Sequence, residues 1–96
     1  MADLEQLFTD IEAVLERMIE QQRDKVREVA LDIVPHLRPE ELDDPHDHAE
    51  VADDAMFNFE DGTLAGLMSA RQALRTAIFA VYRAQAGADR ERKEEL

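Results

Sequence analysis

An apolar stripe at helical spacing dominates the first third of the chain. Large apolar residues recur every three or four positions at Leu4, Leu7, Phe8, Ile11, Val14, Leu15, Met18, Ile19, Val26, Val29 and Ile33. Charged residues occupy the opposite positions, among them Glu12, Glu16, Glu20, Arg23 and Arg27. This pattern is typical of an amphipathic helix. Because Asp3 can cap its start and Pro35 cannot continue it, we expect a helix over about residues 3–34.

The period of this stripe is about 3.6 residues rather than the 3.5 of a left-handed coiled coil, which favours a straight helix. Gln22 lies near the centre of the stripe. A buried amide at such a position can fix the register of two helices by bonding to a counterpart. The alternative is an amide that reaches solvent where helices cross.

The second half of the chain is interrupted by proline and glycine. Three prolines and few apolar residues predict a connection over about 35–44, and Asp44-Pro45 is a suitable start for a helix over about 45–59. Asp61-Gly62 predicts a break, followed by a helix over about 63–86 that ends at Gly87 and a charged, disordered tail over 88–96. The alternative is one long helix, because the apolar positions keep nearly the same helical phase across Gly62.

The pattern as a whole predicts an all-α fold with a single domain over 1–87, since no segment alternates as a strand does. We expect an antiparallel helical hairpin or a three-helix up-and-down arrangement. Its apolar positions exceed what one such chain can cover, so we expect a homodimer that completes a larger helical bundle. The residues predicted to form the core and the dimer contact are Leu4, Leu7, Ile11, Val14, Met18, Gln22, Leu67, Leu74, Ile78 and Val81.

Charge and composition narrow the range of functions. The chain has 23 acidic and 11 basic residues and a net charge of −12, which argues against a nucleic-acid surface. It has no cysteine and no apolar run long enough for a membrane span or a signal peptide, so we expect a cytoplasmic protein. The acidic run over residues 39–61 either solubilises the protein or meets another protein with a basic surface.

One segment has the composition of a metal site. Two imidazoles and six carboxylates lie within residues 43–54, and His46 and Glu50 would share a helix face with Asp47 beside them. A mixed nitrogen and oxygen site of this kind suits a divalent cation. The alternative is a solvated acidic helix start, which the helix dipole favours.

No motif points to catalysis. Ser69 is the only serine, no base partner accompanies it, and no phosphate-binding loop is present, so we expect no enzyme activity and no cofactor. The most unusual segment combines aromatic, acidic and glycine residues and is the predicted interaction site: Phe57, Phe59, Glu60, Asp61, Gly62 and Gly66. The sequence therefore favours a small acidic interaction or assembly protein that binds another protein. A small metal-binding bundle that uses residues 43–54 is the alternative.

Overall fold

The computed structural model describes residues 3–95 and is helical with no strand in that range, which confirms the all-α prediction. Helix α1 covers Leu4–Ile33, a single 3-10 turn covers Pro45–Asp47, helix α2 covers Ala49–Ala52, and helix α3 covers Ala55–Glu95. The two long helices pack side by side in opposite directions. The chain is thus a helical hairpin whose connection, residues 34–54, contains the two short elements.

Helix α1 matches its sequence pattern closely. The carboxylate of Asp3 accepts a hydrogen bond from the main-chain N–H of Glu5 at 3.1 Å, which satisfies one of the free amides at the helix start. At the other end the N–H of Val34 still bonds to the carbonyl of Ala30 at 2.9 Å, and Pro35 follows. The helix therefore ends where proline removes the next amide donor.

Helix α3 is continuous across Gly62, so the predicted break at residues 60–62 was wrong and the alternative of one long helix is correct. Glycine weakens a helix by about 1 kcal/mol relative to alanine, a cost that packing along the helix can offset. Gly87 is helical too, and no glycine among residues 3–95 has positive φ. Residues 88–95 accordingly continue α3 instead of forming the predicted disordered tail; residue 96 lies outside the described residues.

The predicted helix over 45–59 is divided into three elements. The 3-10 turn covers Pro45–Asp47, α2 covers Ala49–Ala52 after one residue, and α3 begins at Ala55 after two more. The reason is a cap that competes with a continuous helix: the Asp54 carboxylate accepts from the N–H of Phe57 at 2.8 Å. The Asn58 side-chain amide also donates to the carbonyl of Ala52 at 2.9 Å. These bonds fix the angle between the connection and α3.

The hairpin is long and thin, with extents of 68 × 23 × 22 Å and a radius of gyration of 20.1 Å. A compact domain of this length would have a radius of gyration of about 12.5 Å. The buried core is small and most of it lies beside the connection, where Phe57 packs in one cluster with Val26, Ala30, Val34, Leu37 and Val51, while Ile19 is buried outside this cluster. We call this the connection end of the hairpin, and the part near residues 4–18 and 70–86 the open end.

Candidate interaction surface

Five large apolar side chains of α1 remain exposed at the open end. Leu4, Leu7, Ile11, Val14 and Met18 are each between 37% and 47% exposed. Their spacing of three or four residues places them on one side of the helix. We call this set the α1 strip. It consists of the first five of the predicted core and dimer residues, and the single hairpin leaves it only partly covered.

The opposite side of the hairpin at the same level carries ion pairs. Arg71 contacts Glu16 at 3.0 Å, and Arg75 contacts Glu12 at 3.3 Å and Glu16 at 3.1 Å. Surface ion pairs of this kind contribute at most about 1 kcal/mol each. Their main use here is geometric, because they show which residues of α1 and α3 face each other and on which side of the hairpin they meet.

A second apolar strip lies on α3 at the same level. It consists of small exposed residues with one larger one: Ala70, Ala73, Ala77, Val81 and Ala84. Successive helix residues rotate by about 100°, so each strip lies about 140° from the ion-paired residues of its own helix, across the contact between the two helices. The α1 and α3 strips therefore lie on the same side of the hairpin, opposite the ion pairs. Together they form what we call the apolar face.

The remaining predicted core residues lie between the two helices or at their edge. Leu67, Leu74 and Ile78 are half-buried on the side of α3 that meets α1, and Val81 is 42% exposed within the α3 strip. At the open end Phe8 and Tyr82 meet edge to face, with ring centroids 5.8 Å apart. Desolvation raises the pKa of Tyr82, and the nearby carboxylates of Glu5 and Asp3 add to this.

The solvent-accessible surface area is large for a chain of this mass. The structure exposes 7235 Å², whereas a compact monomer of 11.0 kDa exposes about 5,600 Å². The difference is about 1,600 Å² per chain. Standard protein interfaces bury about 800 Å² on each partner, so the excess is enough for an extensive interface.

Gln22 is half-buried and bonds within the chain. Its Nε2 donates to the main-chain oxygen of Glu60 at 2.8 Å and to the Glu60 carboxylate at 2.7 Å, and Lys25 Nζ lies 3.2 Å from the same carboxylate. The hydrogen bond from Gln22 lowers the pKa of Glu60; burial opposes this, and Lys25 lowers it further. Gln22 therefore joins α1 to α3 within the chain and helps to fix the register of the two helices.

The predicted interaction segment does not form one surface. Phe57 is fully buried in the core and Glu60 is 5% exposed, whereas Phe59 is 69% exposed. Gly62 and Gly66 are exposed on α3, and apart from their own stretch of helix no atom lies within 4 Å of where a Cβ would stand. The segment is helical, so its residues point to different sides of α3 and only some of them can meet a partner.

Two histidines of the connection, His46 and His48, contact different acidic residues. His46 Nε2 lies 3.3 Å from Asp61, with its ring edge-to-face against Phe57, and His48 Nε2 lies 2.7 Å from Glu41. The hydrogen bond from His48 lowers the pKa of Glu41, and Arg38 contributes to this. Each pair holds a point of the connection against a neighbouring segment.

The proposed metal ligands His46, Asp47 and Glu50 are not brought into one cluster. Over residues 3–95 no group of three or more His, Asp or Glu side chains has the arrangement of a metal site. His46 instead borders a cleft of about 160 Å³ with an apolar floor that includes Val26 and Leu64 and a rim that includes Arg23 and Arg27. This cleft is smaller than the roughly 300 Å³ at which small-molecule pockets begin.

Three features that position the surface escaped the sequence analysis: the Asp54 cap, the Gln22–Glu60 bond and the pairing of His48 with Glu41. The first had a signal, because Asp immediately before a run of helix-forming residues is a preferred cap. The Gln22–Glu60 bond joins residues 38 positions apart and depends on the register of α1 against α3, and the His48–Glu41 pair depends on the fold of the connection. A periodic pattern within one helix does not contain that information.

Within residues 3–95, neither long helix contains a stretch apolar enough to cross a bilayer. No protein family, curated protein or solved structure matches this chain.

Proposed function

We propose that this chain is a non-catalytic assembly protein that forms a homodimeric helical bundle through its apolar face, and that the dimer binds another protein. The observation that carries the proposal is the apolar face itself: two parallel strips of exposed apolar side chains along one side of an elongated hairpin. Hydrophobic burial is the main favourable term in most protein association.

A second copy of the chain is the occupant that best fits the area. An excess of about 1,600 Å² per chain corresponds to about 3,200 Å² in a dimer, within the range of obligate homodimers. The net charge of −12 opposes association, but no charged residue interrupts either strip of the apolar face. Contact through the apolar face therefore buries apolar side chains without bringing charged residues of the two chains directly together.

The partner of the dimer is proposed to meet the connection end. Residues 39–61 contain ten acidic residues and no lysine or arginine. Six of these acidic residues are exposed: Glu40, Asp43, Asp44, Asp47, Glu50 and Asp53. A surface of one sign attracts a partner of the opposite sign and raises the rate of encounter. The expected partner is a protein with a basic surface.

Sedimentation equilibrium over a wide range of concentrations tests the dimer. We expect a mass of about 22 kDa, twice the 11.0 kDa of the chain. Val14→Glu should shift the mass toward one chain, because it places a charge in the apolar face. Ala13→Glu is the matched control: it adds the same charge at the neighbouring exposed position, about 100° around the helix and away from the face.

Two outcomes would contradict the proposal. A mass of 11.0 kDa for the unaltered chain at every concentration would exclude the dimer. An equal effect of Val14→Glu and Ala13→Glu, with unchanged helical content by circular dichroism, would place the contact elsewhere. Binding of the partner is tested separately: replacing Glu40, Asp43 and Asp47 by the corresponding amides should weaken capture of a lysine-rich probe peptide and leave the mass of the dimer unchanged.

A further inference from the structure

We infer that the dimer is cross-packed: the α1 strip of each chain lies on the α3 strip of the other, so that both connections stand at the same end of the bundle. This inference rests on the proposed dimer and goes beyond it. It specifies which surfaces meet and where the two acidic connections lie relative to each other.

The two strips stand at the same level of the hairpin. Phe8 meets Tyr82 at one limit of the open end, and Glu16 meets Arg71 at the other. Residues 4–18 of α1 therefore lie beside residues 70–86 of α3. Any second hairpin that covers one strip at this level also covers the other.

The strips differ in side-chain size. The exposed residues of the α1 strip are leucine, isoleucine, valine and methionine, whereas four of the five residues of the α3 strip are alanine. Facing positions pack well when large side chains meet small ones. The chain thus presents two complementary surfaces side by side, each of which fits its counterpart on a second copy.

Only two two-fold arrangements stack one apolar face on another. An axis parallel to the helices places α1 on the partner's α3, antiparallel and at the same level, so each contact is large on small. An axis across the helices places α1 on α1 and α3 on α3. With the parallel axis, all four interhelical distances stay near the usual 8–10 Å. With the axis across the helices, the two α1 helices, which carry large side chains, would stand far apart, and the two α3 helices, which carry small ones, would stand close together.

The amount of overlap also favours the parallel axis. Beyond Met18 the same side of α1 becomes polar, with Lys25 bound to Glu60 of its own chain. An axis across the helices would have to pass near Ile11 to superpose the α1 strips, which leaves both connection ends outside the contact. The parallel axis overlaps the hairpins along their length and therefore places more of each chain in contact with the other.

Charge acts against this arrangement, but weakly. The parallel axis brings the two acidic connections to one end of the bundle. Their exposed carboxylates are screened over about 8 Å at physiological ionic strength, less than the width of the bundle. Packing is therefore expected to determine the orientation, and the dimer should become tighter as salt is added.

Distance measurement between spin labels distinguishes the two arrangements. The chain has no cysteine, so a single Glu50→Cys substitution provides one label site at the exposed surface of the connection. In the cross-packed dimer, double electron–electron resonance should give a distance below about 40 Å, given interhelical spacings of 8–10 Å. With the axis near Ile11, each connection lies about 25 residues or 37 Å away, so the distance would be about 70 Å.

A second label at Glu91→Cys checks the open end, where the cross-packed dimer again predicts a short distance. A distance of about 70 Å at Glu50→Cys in a sample with dimer mass would overturn the cross-packing and leave the proposed dimer standing. A mass of 11.0 kDa would overturn both. Short distances at both sites, lost together in Val14→Glu, are the expected result.

Discussion

Phe57→Ala should remove a large part of the stability of this fold. Phe57 is fully buried and packs in the core cluster at the connection end with Val26, Ala30 and Val51, while the His46 ring meets it edge to face at 5.1 Å. Few other large side chains are as well covered, because the hairpin is thin. The loss of this one ring therefore leaves a cavity that neighbouring residues cannot fill.

The expected cost is about 3–5 kcal/mol, the range for truncating a buried phenylalanine. A chain of 96 residues has a total stability of about 5–14 kcal/mol. The substitution should therefore remove between about a fifth and all of that stability. At about 4–8 °C per kcal/mol, the melting temperature should fall by at least about 12 °C.

Urea unfolding followed by circular dichroism, at one fixed protein concentration, measures this cost. Phe79→Ala is the matched control, since Phe79 is 60% exposed and its ring contacts only the Arg83 guanidinium at 4.8 Å among the aromatic and cation contacts described. We expect the control to cost less than about 1 kcal/mol. Equal costs for the two substitutions would refute the placement of the core at the connection end.

Three further predictions concern α3 and the acidic groups. Asp54→Ala should cost about 1 kcal/mol by removing the cap on the Phe57 amide, whereas Asp54→Asn should retain most of it, as thermal melts can show. Gly62→Ala should stabilise the chain by up to about 1 kcal/mol, because Gly62 is helical and a Cβ there would contact no atom outside its own stretch of α3. The pKa values of the Glu60 and Glu41 carboxyl groups are lowered in the folded chain, so both groups stabilise the fold at pH values above their unfolded pKa. This stabilisation is lost as the pH falls through their pKa values in the folded chain. The free energy of unfolding, measured by urea titration, should therefore decline from about pH 5 downward, and less steeply in Glu60→Gln.

Each of these has an outcome that contradicts it. Equal losses for Asp54→Ala and Asp54→Asn would show that the cap does not hold α3. A destabilising Gly62→Ala would mean that the residue is not helical in solution or that another chain approaches it closely. A pH profile of Glu60→Gln identical to that of the unaltered chain would show that Glu60 is not the acid-sensitive group.

The sequence predicted the helices where their pattern was local. The start and end of α1 follow from Asp3, the apolar stripe and Pro35, and the structure places the helix within one residue of that prediction at each end. Gly62 and Gly87 were misleading, because glycine commonly ends a helix by adopting positive φ, and neither residue does so here. The constant helical phase of the apolar positions across Gly62 correctly indicated one long helix.

The residues of the apolar face could be predicted from the sequence, but their position on the hairpin could not. The five residues of the α1 strip were expected to be core or dimer residues because of their period, but period alone does not say which side of a helix the hairpin partner covers. That side is set by contacts between distant residues, such as Arg75 with Glu12 and Gln22 with Glu60. The same limit explains why Phe57 and Phe59, two positions apart, lie in opposite environments.

The location of the core beside the connection has a consequence for how the chain folds. Val34, Val51 and Phe57 are close in sequence, so bringing them together closes only a short loop and costs little chain entropy. Contacts toward the open end, such as Phe8 with Tyr82, join residues 74 positions apart but become local once the connection has formed. Folding should therefore start at the connection and proceed along the two helices in the manner of a zipper. The open end would form last and reopen first, and exchange of its amide hydrogens should be the most sensitive to protein concentration.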